Sequence, residues 1–147
     1  MNAIALLTED HRQVEALFQQ FEGEADPVRR RDVGDSLMAE LTQHAEVEET
    51  CFYPEVRTAT PGAEGLTEES LEEHRQVKAV IAQIEAMQPE DAGYVPAMQQ
   101  LKQLVQHHVQ EEEGEMFPKV AAAMGEDRLT EIGARIDGMK KASAPRA

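Results

Sequence analysis

Histidine and glutamate recur in this chain at spacings suited to holding metal. His11 is followed by His44-x-x-x-Glu48, and His74 is followed by His108-x-x-x-Glu112. The two halves are a repeat: His11-Arg-Gln-Val14 returns as His74-Arg-Gln-Val77, 63 residues on. Likewise His44-x-x-x-Glu48-Glu49…Phe52-Tyr53-Pro54 returns as His108-x-x-x-Glu112-Glu113…Met116-Phe117-Pro118, 64 residues on. Imidazole nitrogens and carboxylate oxygens converging in one place suit iron or another first-row metal.

The spacing itself serves chelation. Residues four apart on a helix lie one above the other on the same face, so His44 with Glu48, and His108 with Glu112, can each reach a common metal pair. Two six-coordinate metals offer about twelve positions; four His and two bridging Glu fill about eight, leaving about four for a solvent bridge and an exogenous ligand. That is a reactive arrangement, unlike the closed shell of a structural zinc site. A buried Glu48 or Glu112 without a cation would be strongly unfavourable, which points the same way.

The elements that must position these residues are helices. Ile4, Leu7, Val14, Phe18 and Phe21 form an apolar stripe over residues 2–22, and His11 completes its spacing. Asp26 and Pro27 read as the N-cap and first residue of a second helix, running to about Tyr53. Its seam is Leu37, Leu41, His44, Glu48 and Cys51, and Pro54 ends or kinks it. Residues 54–66 read as the longest linker, and Thr67 as the N-cap of a third helix that places His74, Val77, Ile81 and Ile84 on one stripe. A fourth helix sets Leu101, Val105, His108, Glu112 and Glu115 on its seam, with Pro118 mirroring Pro54. Asp127 to Lys141 reads as a short additional amphipathic helix, and 142–147 as a frayed tail.

The expectation is an all-α, up-down-up-down four-helix bundle with a short C-terminal helix. Residues 1–141 read as a single domain built on an internal repeat, 5–54 and 68–118. Chain length supports one domain, and the absence of Trp, with two Tyr and four Phe, supports aliphatic helix packing. A net charge of −15 disfavours nucleic acid and anionic membranes as partners. The single Cys51 excludes an intramolecular disulfide, the N-terminus lacks the pattern of a signal peptide, and no apolar run suffices for a membrane span. A soluble, cytoplasmic protein is expected.

Several residues compete for roles. Glu111 stands four residues after His107, so spacing alone allows that pair in place of His108 and Glu112; counting back from Pro118 as from Pro54 selects His108 and Glu112. Glu49, Glu111, Glu113 and Glu115 read as solvated or outer carboxylates, and Glu15 as either a residue orienting His11 or a surface acid. Tyr53 has Phe117 as its repeat partner; it reads as a packing aromatic, a hydrogen-bond donor or an added oxygen ligand. Cys51 reads as a buried small hydrophobe.

The ordered set His11, His44, Glu48, His74, His108 and Glu112, with Phe/Tyr-Pro after each second element, resembles the hemerythrin-like HHE cation-binding domains over about residues 5–120. The resemblance implies a four-helix bundle and two iron ions in an oxo- or hydroxo-bridged di-iron centre carried by two bridging carboxylates. The oxygen-carrying hemerythrins have a second His one turn on in helix three, where this chain has Lys78, and an Asp five residues after the fourth-helix His, where it has Glu112 at plus four. Those departures turn the expectation from oxygen carriage to reaction with small oxidants, peroxide first, with catalase- or peroxidase-like chemistry. An oxygen or nitric oxide sensor, or an iron-binding store, is the alternative, and a small diatomic or peroxide is the expected ligand. The ferritin-like class, which uses Glu-x-x-His, is disfavoured because that motif is absent.

Overall fold

The computed structural model describes residues 1–143. Helix α1 (Ala3–Gly23) is capped by the Asn2 side chain, which accepts from the Ala5 N–H at 2.8 Å. Helix α2 (Pro27–Val47) is capped by Asp26, which accepts from the Arg29 N–H at 3.0 Å, with Pro27 in the first turn, as the sequence signals require. Among the described residues there is no strand.

Pro54 does not end the second helix. A π-helical turn, Glu48–Phe52, leads directly into α3 (Tyr53–Ala59), with the Tyr53 N–H donating to the Glu48 carbonyl five residues back. Proline lacks an N–H and crowds the carbonyl four residues before it; placed in the first turn after a widened one, it does not end the helical path. The same device recurs in the second half. Helix α5 (Tyr94–Glu111) passes through a π turn, Glu112–Met116, into α6 (Phe117–Met124), and Pro118 stands where Pro54 does.

The long linker expected at 54–66 therefore shrinks to 60–63, and α4 spans Glu64–Glu85. Thr67 is not its cap. It lies buried inside the first turns, where its hydroxyl donates to the Glu64 carbonyl at 2.8 Å. The last helix, α7 (Glu126–Ser143), runs two residues past Lys141, so Ala142 and Ser143 are helical; the remainder of the expected tail, 144–147, lies outside the described residues.

Helix α1 packs on α2, α4 packs on α5, and α7 lies across α1, α2 and α6. Gly133 permits that last approach, because a Cβ there would collide with the Met1 carbonyl. The apolar interior divides into two clusters. One gathers Val14, Phe18, Leu37, Leu41, Ile81 and Leu101; the other gathers Leu7, Val47, Phe52, Phe117, Ile132 and Ile136. The buried histidines lie on helix segments between the two, His11 between Leu7 and Val14 and His44 between Leu41 and Val47, and form a central layer. Among the described residues, no helix is long and apolar enough to cross a membrane.

Candidate metal centre

Four helices and two π turns deliver the six residues singled out by the repeat. His11 comes from α1, His44 from α2, His74 from α4 and His108 from α5, while Glu48 and Glu112 each open a π turn. All six are buried, Glu48 and Glu112 completely. Their ligand atoms fall into two groups: His11, His44, Glu48 and Glu112 form one, and Glu48, His74 and His108 the other.

Glu48 belongs to both groups. Its Oε1 lies 3.2 Å from His44 Nε2, 3.0 Å from His74 Nε2 and 3.7 Å from His108 Nε2. Glu112 spans the groups in the other direction, Oε1 standing 3.1 Å from His11 Nε2 and Oε2 standing 3.4 Å from His108 Nε2. Ligands held at about 2.1 Å around an octahedral ion stand about 3.0 Å apart along its edges, and several of these separations match that figure. Within these groups Glu48 Oε2 is buried with no hydrogen-bond partner, and His44 Nε2 meets Glu48 Oε1 at 3.2 Å without hydrogen-bond geometry. Buried polar atoms are ordinarily paired, so this donor set of imidazole and carboxylate fits a cation.

Each imidazole is aimed by an outer carboxylate at Nδ1. His11 donates to Glu113 at 2.6 Å and His74 to Glu49 at 2.8 Å; His44 donates to Asp10 at 3.0 Å and His108 to Glu73 at 2.7 Å. The pattern obeys the repeat. The acid after each glutamate (Glu49, Glu113) holds the lone His of the other half, and the acid before each lone His (Asp10, Glu73) holds the His of the following ligand helix. With Nδ1 occupied, Nε2 of every ring points inward, the arrangement by which outer carboxylates orient metal-binding histidines. Asp10 and Glu73 were not singled out by sequence reasoning. The signal was present, because an acid precedes the lone His in both halves.

The electrostatics of the protein without a cation follow from this crowding. Burial pushes the His44 imidazole down, but Glu48, Asp10 and Glu112 outweigh it and hold it at about 10. Burial likewise opposes charge on His108, yet Glu112, Glu48 and Glu73 keep it well above the usual imidazole range. Glu48 is held well below the ordinary carboxylate range, since His44 and its hydrogen bonds overcome its desolvation. The outer carboxylates Asp10, Glu49, Glu73 and Glu113 are also depressed, against their burial, by the imidazoles and cations they meet.

Tyr53 stands over the second group. Its hydroxyl donates to Glu112 Oε2 at 2.5 Å and lies 3.3 Å from His74 Nε2 and 3.4 Å from His108 Nε2. Five residues of α-helix advance by about 500°, which would turn Tyr53 about 140° away from the face of Glu48. The π turn supplies the correction, so the phenol returns to the glutamate's side. Phe117, its counterpart after Glu112, stacks on the His11 ring with centroids 6.0 Å apart and planes 2° from parallel. Burial and the charges of Glu112 and Glu48 raise the Tyr53 phenol well above its usual range, so it keeps its proton.

Away from Tyr53, a cavity of about 30 Å³ opens among the four imidazoles, Val14, Leu41, Val77 and Val105. It holds no more than a very small molecule.

The family model of the hemerythrin HHE cation binding domain matches residues 2–120. The chain belongs to the hemerythrin HHE family. An HHE domain-containing protein from Mycobacterium kansasii, known from its crystal structure, is similar at 25% identity and a TM-score of 0.81, over 99% of this chain and 95% of that one. An uncharacterized hemerythrin-like protein of Schizosaccharomyces pombe is 25% identical over 90% of this chain, and a protein named DNA nickase from Nostoc sp. is 32% identical over 82%. This HHE chain spans 34% of the length of the Nostoc relative and 66% of the yeast one.

The remaining candidates fall outside the central layer. His107 is exposed, pairing with Glu111 at 2.8 Å and lying 3.4 Å from Glu73; the Glu111 carboxyl is pushed up to about 7, chiefly by Glu73 beside it. Glu15 pairs on the surface with Arg12, and Glu115 lies 3.5 Å from Lys119. Lys78 holds Glu49 at 3.0 Å. Cys51 is buried, its thiol 3.7 Å from the Met139 sulfur, and the apolar surroundings push that thiol up.

Proposed function

We propose that this HHE domain holds two iron ions and reacts with hydrogen peroxide, converting two molecules to two of water and one of dioxygen. The observation that carries the metal assignment is the convergence of four imidazoles and two fully buried carboxylates in two groups that share Glu48, whose Oε2 has no hydrogen-bond partner. His11, His44, His74 and His108, with Glu48 and Glu112, would hold the two ions. We read the four ligand-bearing helices as an up-down-up-down bundle, which brings one imidazole from each to a common level. When bound, a pair of irons supplies open coordination positions and exchangeable electrons.

The chain's own residues do the rest. Asp10, Glu49, Glu73 and Glu113 hold the four imidazoles in the ligating orientation. Tyr53 would either serve as an added oxygen ligand or hold a proton at the site, its hydroxyl donating to Glu112. The small apolar cavity favours peroxide or a diatomic over any larger substrate. Oxygen evolution from hydrogen peroxide by the iron-loaded protein tests the proposal: it should disappear in His44→Ala and Glu112→Ala, and full activity in metal-free protein would contradict it.

The same cavity supports a second reading, reversible binding of oxygen or nitric oxide without turnover, as a sensor or iron-binding module. Tight diatomic binding with no peroxide consumption would favour it. The activity named for the Nostoc relative calls for a basic footprint on DNA, and a net charge of −15 disfavours one. We place the protein in the cytoplasm.

A further inference from the structure

Three of the four outer carboxylates are themselves held by a fixed cation. Arg12 pairs with Glu113, Lys78 with Glu49 and Lys140 with Asp10. Glu73 differs. Among the described residues, no Lys or Arg makes a salt bridge to it or to its neighbour Glu111. Glu73 is nine-tenths buried; its Oε1 accepts from His108, and its Oε2 turns towards His107 Nε2 at 3.4 Å, which also meets Glu111 at 2.8 Å.

The difference has a cause in the fold. Asp10 and Glu73 are equivalent in the repeat, but α7 lies across α1 and α2 and so brings Lys140 to Asp10. In the second half, the sequence changes instead. Gln43 is replaced at the equivalent position by His107, and the buried Val47 by Glu111. An amide and a hydrocarbon in one half have become an imidazole and a carboxylate in the other, at the outer carboxylate that has no fixed cation.

We propose that Glu73, His107 and Glu111 form a separate surface site for a first-row divalent cation, connected to the central layer through Glu73 and His108. Each residue offers one ligand atom, and the three atoms lie within 4.8 Å of one another. One imidazole with two carboxylates suits zinc, manganese or ferrous iron better than calcium or magnesium, which take oxygen ligands. A cavity of about 280 Å³ lined in part by Glu69, Glu72, Glu73 and His107 leaves room for water to complete the coordination. The bound cation gives Glu73 the positive neighbour that Arg12, Lys78 and Lys140 give the other three carboxylates.

The inference goes beyond the di-iron reading and is tested separately from it. Zinc is titrated calorimetrically into the full chain after its iron has been loaded and counted, and iron is counted again afterwards. Wild type should take up one further equivalent of zinc, and His107→Gln and Glu111→Gln should each lose it while retaining wild-type iron and helicity. Equal zinc uptake in wild type and both variants, or none in wild type, would overturn the site. A missing iron count would instead count against the central assignment, and zinc uptake that depends on His107 would still establish the surface site.

Discussion

Nδ1 of His44 donates to the carboxylate of Asp10 at 3.0 Å, joining a residue of α1 to one of α2 across the buried layer. Lys140, from the far end of the chain, closes on the same carboxylate. One acid thus orients the His44 ring and ties the last helix to the buried cluster.

Asp10→Asn removes the charge behind His44 while keeping a similar shape. Loss of such an outer partner lowers metal affinity by about 10- to 100-fold. Competition against a chelator measures this, and an unchanged affinity would show that Asp10 does not act through His44. Glu→Gln at position 113 should behave alike through His11.

Tyr53→Phe should leave iron content intact and lower peroxide turnover by about 100-fold, in the range of a lost proton donor. If the phenol ligates, the visible spectrum changes as well. Wild-type turnover in the variant would reduce Tyr53 to a packing aromatic.

Metal should stabilise the fold. A ligand present at a hundredfold excess over its Kd adds about 2.7 kcal/mol. For a chain of this size that amounts to a rise in Tm of about 5–10 °C. Thermal scans before and after iron loading check it, and the rise should be absent in a His44→Ala, Glu112→Ala double variant.

The metal-free protein should lose stability as pH rises from about 6.5 to about 10. Folded, His44 titrates at about 10, above the ordinary imidazole value of 6.5, so its contribution is fully present below the lower value and disappears on passing the upper. Urea unfolding across that window should show a downward slope that His44→Gln reduces. Because metal replaces protons at such sites, affinity should rise over the same range.

The helices and their inward stripes were legible because the repeat spells them twice, at helical spacing, on residues as distinctive as His and Glu. The π turns were not. A proline after a helical run reads as a stop, and only a structure shows that one widened turn lets Pro54 and Pro118 stand inside a continuing helical path. The same widened turn decides where Tyr53 points, so its relation to Glu112 was hidden too. Asp10 and Glu73 each precede the lone His of their half, a signal easily lost among the 29 acids of the chain. Lys140 reaches Asp10 across 130 positions, a contact set by the packing of α7 and by nothing local.

Metal content and the optical spectrum of the purified protein test the central assignment most directly. Two ligand groups sharing Glu48 predict two irons per chain and the charge-transfer absorption of an oxo-bridged ferric pair. A colourless protein containing zinc, or one that takes up no metal when ferrous iron is supplied, would contradict it.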